Sequence, residues 1–554
     1  METPPNSDGR ATRRSWPRWP WLIVLAAVLF AGAVRVRLLD MPLERDEGEY
    51  AYAGQLLLQG IPPYVLAYNM KLPGTYVAYM AGMAVFGQTR MGIHLTLLVA
   101  GSLTIIFVFL LARELAGIVA GMAAAVSYAV MSISPTVLGL EAHATHFVVL
   151  FAVPAMWLLV RAGPAPGRRR MFFVGLLFGL AFVMKQQGLC FALFALTYLA
   201  WTGWRHGEVF SRRFAERILA FGSGLALPLL LTCLLLALAG VFGRFWFWTV
   251  NYARVYESLM TWQTGLHEHL LPHLRQTHNI SKGWWILVAV GLPVAASIRR
   301  LRPATAFAVV FWLFSFVGTA AGFYFRQHYF ILLLPAFAVL LGLAVTALRD
   351  ILPARVLPNV VKSLPVIAFA MIVSWVIYYQ AKVFFEWPAV ALGERIYPRN
   401  PFTEAVFAGK QIRDHSASDA RVAVLGSEPE IYFYAKRHSA TGYIYTYPLM
   451  EPQPFARTMQ QDMAREIESA RPEFIVNVPY AASWIGESYS KACLTDWFAT
   501  YPASNYQKVA IVGYGADGVL VSLWNPTNPP AMGSEYITIF QRRPALAEGA
   551  VPAR

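Results

Sequence analysis

Eleven mostly apolar runs recur along the first two thirds of the chain, at residues 21–39, 93–112, 116–134, 145–160, 171–184, 189–201, 218–241, 284–298, 304–324, 330–348 and 366–379. A helix of about twenty apolar residues matches the hydrocarbon thickness of a bilayer. The spacing therefore predicts a polytopic α-helical membrane protein with about eleven spans. Charged residues make up 14% of the 554 positions, against roughly 25% in a soluble domain. That deficit excludes a water-soluble protein.

The formal net charge of +15 would point to nucleic acid in a soluble chain. Here much of the basic charge falls in short clusters between apolar runs: Arg168, Arg169 and Arg170; Arg205, Arg212, Arg213 and Arg217; Arg299, Arg300 and Arg302. Such clusters fix orientation in a bilayer. Cys190, Cys233 and Cys493 place no pair in one polar segment, which argues against a disulfide framework or a cysteine metal site. Arg13, Arg14 and Arg18 precede the first run, and Ala31, Gly32 and Ala33 have the composition of a cleavage site; the length of the run favours a retained helix over a signal peptide.

Residues 73–86 are apolar but too short to span. With that segment at the interface, the later basic clusters share the cytoplasmic side of Arg13 and Arg14. Four segments then meet on the outer face: residues 39–76, 140–146, 242–283 and 325–329. The region from about residue 385 joins them. It reads as an α/β domain, with strands at 421–426, 474–478 and 509–512 and helices at 428–437 and 457–470. Gly426 follows a strand, but no glycine-rich phosphate loop surrounds it, so a nucleotide site is not expected. The expected division is a cytoplasmic polar tail at 1–20, a transmembrane domain at 21–384 and an extracytoplasmic α/β domain at 385–554.

Chemistry is expected on the first outer segment, where Asp46, Glu47 and Glu49 gather directly after the first span. Tyr50, Ala53, Leu57 and Leu58 recur at helical spacing, predicting an amphipathic helix on the membrane surface. Asp46 and Glu49 stand three apart, as in a capping box, so Asp46 serves equally well as a helix cap or as a base; the two roles are compatible. Lys71 precedes a helix start at Pro73, a place that suits a phosphate, although a lysine there also snorkels. Lys185 lies between two apolar runs, where an unpaired charge costs about 2.5 to 3.5 kcal/mol. Arg326 and His328 edge another span and could grip phosphate or anchor among aromatics. His267, Glu268, His269, His273 and His278 raise a metal centre, but Pro272 interrupts the one helical pair, so metal is the lesser alternative.

With those residues in hand, the chain resembles the lipid-linked sugar transferases of the GT-C class. It is most similar to glycosyltransferase family 39, which holds protein mannosyltransferases and aminoarabinose transferases. The likeness rests on Arg45, Asp46, Glu47, Glu49 and Tyr50, then Gly60 to Tyr64, Lys71 with Pro73, Phe86 with Gly87, Gly175 to Lys185, and Arg326 to Tyr329 with Leu334 and Pro335. It is strongest over about the first 115 residues. It implies a GT-C fold, a polyprenyl-phosphate sugar donor, an extracytoplasmic acceptor (lipid, glycan or protein), inversion at the anomeric carbon, and no required cofactor. Asp46 becomes the base with Glu47 beside it, and Lys71, Lys185, Arg254, Arg326 and His328 become phosphate ligands. The second outer loop, where relatives often carry another acidic residue, offers Glu141, His143 and His146. The alternatives are a flippase of lipid-linked sugars, which predicts charge deep within several spans, and a non-catalytic scaffold. Charge here gathers at the outer edge, which favours the enzyme.

Overall fold

The computed structural model describes residues 18–163, 166–352, 359–484 and 491–544; most of the expected polar tail therefore lies outside the described residues. Among these, eight helices are long and apolar enough to cross a membrane. The first nine helices are α1 (Trp19–Arg37), α2 (Arg45–Leu58), α3 (Gly74–Phe86), α4 (Arg90–Ala116), α5 (Ile118–Met131), α6 (Ala144–Arg161), α7 (Arg168–Met184), α8 (Leu189–Arg205) and α9 (Arg212–Leu238). Leu271–Ser297, Arg302–Ala320, Leu334–Ile351 and Asn359–Tyr379 follow. Each expected span coincides with a helix. Three of them, α5, α7 and α8, are shorter than a full crossing.

Leu334–Ile351 is the hub. It is apolar on every side and 94% buried over its span, the pattern of a helix packed all round. It packs against α4, α5 and the three helices around it in sequence. By contrast α9 is 17% buried and presents leucines such as Leu230, Leu234 and Leu238 outward, as a lipid-facing helix does. Its contact with α7 is a close one: a Cβ on Gly175 would stand 2.0 Å from the Phe221 carbonyl, so only glycine permits this crossing.

Two expectations about the outer face are corrected. The stretch 242–283, read as a loop, is mostly helical, and the later span begins at Trp262. Pro272 does not break it because a widened turn, Gly265–Leu270, precedes Leu271–Ser297 and relieves the proline of its usual hydrogen-bond conflict. The helix α2 is not a surface helix either. Its residues from Glu47 to Leu56 are all buried, between α3 on one side and the C-terminal helix Glu430–Ala435 on the other.

The C-terminal region forms one six-stranded sheet: β1 (Arg421–Leu425), β2 (His438–Ser439), β3 (Phe474–Asn477), β4 (Tyr506–Tyr514), β5 (Leu520–Trp524) and β6 (Ile537–Arg542), in the order β2-β1-β3-β6-β4-β5. The first three are parallel and the rest antiparallel. β1, β3 and β4 match expected strands, while β2, β5 and β6 were not foreseen. This unit is bonded to α2: Arg45 Nη2 meets Glu428 Oε1 at 2.7 Å, and the Tyr52 hydroxyl accepts from the Ser439 amide at 2.7 Å.

Candidate functional site

The first turn of α2 is capped by Glu44, two residues earlier than expected. Its carboxylate accepts from the Glu47 amide at 2.8 Å, and the Glu47 side chain returns a contact to the Glu44 amide at 3.3 Å. The capping box is thus Glu44 and Glu47, not Asp46 and Glu49, and Asp46 does not cap the helix.

Asp46 Oδ1 accepts from Lys71 Nζ at 3.1 Å. Lys71 also donates to the Tyr50 hydroxyl at 3.1 Å. Asp46 Oδ2 faces two imidazoles, His143 Nδ1 at 3.9 Å and His328 Nε2 at 4.0 Å. Lys185 Nζ lies 3.3 Å from His328 Nε2 and 4.1 Å from the centre of the Tyr329 ring. Arg326 stands over Tyr324 at 5.3 Å. Asp46, Lys71, His143, Lys185, Arg326 and His328 all line one cavity of about 560 Å³. Residues far apart in the chain meet there because the N-terminus of α2, the α7–α8 turn, the start of α6 and the turn before Leu334–Ile351 converge.

The electrostatics follow from burial beside opposite charge. Burial opposes ionisation of Asp46, but Lys71, His143 and Lys185 outweigh it and hold the carboxyl below its usual range. Burial, then the neighbouring Lys71, drives Lys185 well below the usual lysine range. Burial likewise pushes His143 down to about 4, so it is neutral at pH 7. Glu49, which accepts from Asn69 Nδ2 at 2.8 Å and from the Tyr76 hydroxyl, is pushed up to about 7 by burial.

Four sequence candidates are not on the cavity. Glu47 is fully buried behind Asp46; its carboxylate accepts from the Ala142 amide at 2.6 Å and lies 3.3 Å from His94 Nε2. Its carboxylate thereby ties the helix start to the loop 140–146. Glu141 is buried and raised to about 8 by burial and by Glu47, and neither oxygen has a hydrogen-bond partner among the described residues. His146 is buried within α6. Arg254 is exposed, while its neighbours Tyr252 and Ala253 line the cavity. Of the histidine-rich stretch, Glu268, His269 and His273 line the same cavity and gather no metal-like group among the described residues.

The group whose spacing could hold an ion is Asp46, His143 and His328, with ligand atoms within 4.8 Å of one another. The fit is poor as placed. The two rings are stacked at 4.2 Å and 16°, and lone pairs lying in nearly parallel ring planes cannot converge on one ion.

Sequence reasoning missed several lining residues: Glu44, Tyr252, Tyr256, Glu257 and, from the C-terminal unit, Tyr445, Tyr447 and Glu451. The Glu44 spacing to Glu47 was visible. The last three carry no local signal, since only the fold brings them to the cavity.

The chain is similar to several known proteins. The family described as dolichyl-phosphate-mannose-protein mannosyltransferase matches residues 73–248. An undecaprenyl phosphate-alpha-4-amino-4-deoxy-L-arabinose arabinosyl transferase of Pseudomonas paraeruginosa is 30% identical over 298 residues, covering 48% of this chain and 49% of that protein. Its counterpart in Pseudomonas aeruginosa is 29% identical over 269 residues, covering 45% and 44%. The chain spans about half the length of the curated relatives it matches. Among solved structures, ArnT from Cupriavidus metallidurans bound to undecaprenyl phosphate aligns with a TM-score of 0.58 at 15% identity, covering 94% of this chain and 98% of that one. The oligosaccharyltransferase AglB from Archaeoglobus fulgidus, in complex with an inhibitory peptide and a dolichol-phosphate, aligns with a TM-score of 0.53 at 14% identity, covering 92% and 75%. The fold is that of the GT-C membrane proteins, with a sheet-containing C-terminal unit. Over residues 73–248 the chain is similar to that mannosyltransferase family, and its helices long and apolar enough to cross a membrane agree with a multi-pass membrane protein.

Proposed function

We propose that the chain is a membrane glycosyltransferase that moves a sugar from a polyprenyl-phosphate donor to an acceptor outside the cytoplasm. The observation that carries this reading is a carboxylate oxygen, Asp46 Oδ2, that accepts no hydrogen bond among the described residues and faces a cavity that also holds Lys71, Lys185, Arg326 and His328. Asp46 Oδ2 takes the proton of the acceptor hydroxyl as that oxygen attacks the anomeric carbon. The bond from carbon to phosphate oxygen breaks, and polyprenyl phosphate leaves with the electron pair, its charge met by the lysines and Arg326. Attack opposite the leaving group inverts the anomeric centre. The likeness to ArnT and AglB, whose solved complexes hold undecaprenyl phosphate and dolichol-phosphate, supports that donor class.

The same reading takes Glu47, Glu141 and His146 as structural and leaves Arg254 out of the phosphate site. It places the cavity and the C-terminal unit, taken as residues 385–554, on the outer face, with residues 1–20 in the cytoplasm. The basic clusters between spans support that orientation. Conversion of a labelled polyprenyl-phosphate sugar by purified protein in nanodiscs tests the proposal; no turnover and no hydrolysis with any such donor refutes it.

A second reading adds a divalent ion at Asp46, His143 and His328. Their proximity favours it, and an Archaeoglobus fulgidus oligosaccharyltransferase of the same fold was solved in complex with Zn and sulfate. It requires one of the stacked imidazoles to turn. Loss of activity in EDTA, restored by one metal, would establish it; full activity after metal removal would end it.

A further inference from the structure

The cavity has a second lining whose chemistry differs from the base and its cations. Tyr256 and Tyr324 stack face to face at 4.5 Å and 7°, and the Tyr324 hydroxyl donates to the Tyr256 carbonyl at 3.0 Å. From the C-terminal unit, the Tyr447 hydroxyl donates to the Ala482 carbonyl at 2.6 Å and the Tyr445 hydroxyl to the Arg45 carbonyl at 2.8 Å. The Tyr252 hydroxyl donates to Glu451. Four of these rings are thus fixed by their own hydroxyls, Tyr256 is held by its stack on Tyr324, and all five line the cavity. A rigid set of amphipathic rings holds a partner at low entropic cost.

Polar groups stand among those rings. His273, 7% exposed, lines the cavity with its ring stacked on Phe330 at 4.1 Å, and its Nδ1 has no hydrogen-bond partner among the described residues. Gln276 lies one turn further along the same helix, and Glu257, Glu268 and Glu451 complete this part of the wall. Flat aromatic rings matched with carboxyl, imidazole and amide groups suit a ring whose faces are C–H and whose rim is hydroxyl. An isoprenoid tail would leave those polar groups unpaired. An anionic acceptor would meet Glu257, Glu268 and Glu451, while Arg326, which stands over Tyr324, is the cation this reading gives to the donor phosphate.

We infer that this tyrosine-lined part of the cavity is the acceptor subsite, that it takes a neutral saccharide, and that Tyr447 and Glu451 are its specificity-determining residues. The inference rests on the glycosyltransferase reading and assigns its acceptor class. The saccharide hydroxyl would be the oxygen that attacks the anomeric carbon and yields its proton to Asp46 Oδ2. It also gives the C-terminal unit its role: the segment carrying Tyr445, Tyr447 and Glu451 roofs the site, so acceptor choice lies in the part of the chain farthest in sequence from the base.

Saturation-transfer NMR on the full-length protein in nanodiscs tests binding without requiring turnover. The probes are a set of neutral oligosaccharides including maltotriose, a serine- and threonine-containing peptide, and glucose 1-phosphate. Neutral saccharide signals are expected with wild type and with Asp46→Asn, weakened about tenfold by Tyr447→Ala and kept by Tyr447→Phe, which preserves the ring. In turnover assays Tyr447→Ala and Glu451→Gln should raise the acceptor KM more than they lower kcat. Absence of any saccharide signal, preference for the peptide or the phosphate, or an unchanged Tyr447→Ala variant would overturn the inference. Donor turnover in the same preparation reports on the enzyme assignment separately.

Discussion

Replacing Asp46 by Asn removes a charge and almost no volume, so it tests the base without disturbing the packing around it. Across the 3.1 Å contact the Lys71 and Asp46 charges attract by roughly 5 kcal/mol before desolvation is counted, at an effective dielectric near 20. That attraction competes with the donor phosphate for Lys71. The Asn variant should therefore bind a polyprenyl-phosphate sugar as well as wild type or more tightly, since the charge facing the phosphate becomes more positive by one. Turnover should fall by about 10² to 10⁴, the contribution of a positioned general base, equivalent to about 3 to 5.5 kcal/mol of barrier. Helix capping should be untouched because Glu44, not Asp46, caps α2. The assay is donor binding and donor consumption on one nanodisc preparation, with thermal unfolding as a control. Turnover within tenfold of wild type, or parallel loss of binding, folding and turnover, would show that Asp46 is a structural partner of Lys71 and not the base.

Glu47→Ala should lower stability by roughly 1–3 kcal/mol, because it orphans the buried Ala142 amide and opens the capping box; thermal unfolding reads this, and a stable but inactive variant would restore Glu47 to catalysis. Lys185 is held well below the usual lysine range, so donor affinity should weaken as pH rises through that lowered value, whereas Lys185→Arg should stay flat because guanidinium remains charged; parallel profiles would refute it. The Glu49 carboxyl, normally near 4.5, is raised to about 7. The folded state therefore holds a proton that the unfolded state has released between those values, and stability should fall as pH rises across that window; Glu49→Gln should remove that part of the slope in thermal unfolding. Glu428→Gln leaves Arg45 without its buried partner and should cost about 3–5 kcal/mol, seen as earlier proteolysis of the C-terminal unit.

What the sequence disclosed follows the range of the forces involved. Spans were legible because bilayer thickness imposes a length on every crossing, and Asp46 with Lys71 stood out because charge is scarce in such a chain. The capping box was misplaced by two residues because Glu44 with Glu47 and Asp46 with Glu49 share one spacing, and only φ and ψ at Glu44 distinguish the cap. Pro272 disguised a helix as a loop, since a widened turn before it leaves no mark in composition. Lys185, His328 and Arg326 were nameable as charges at span edges, and the shared face and the family likeness implied that they meet Asp46, but the contacts themselves were not legible, because the packing of α7 and the hub helix decides them. Tyr447 and Glu451 were invisible for the same reason.

The burial of α2 links these observations. A surface helix would leave Asp46 in bulk water, where a nearby lysine is screened and a phosphate gains little from it. Covering α2 with the C-terminal helix Glu430–Ala435, and fixing that cover through Arg45 and Glu428, reduces the water around the base and Lys71, whose side chains keep 22% and 16% of their exposure, while leaving one Asp46 oxygen facing the cavity. The C-terminal unit thus sets the dielectric of the site as well as its roof. Loosening it by Glu428→Gln should therefore lower transfer more than donor binding, and equal losses in both would separate the cover from the chemistry.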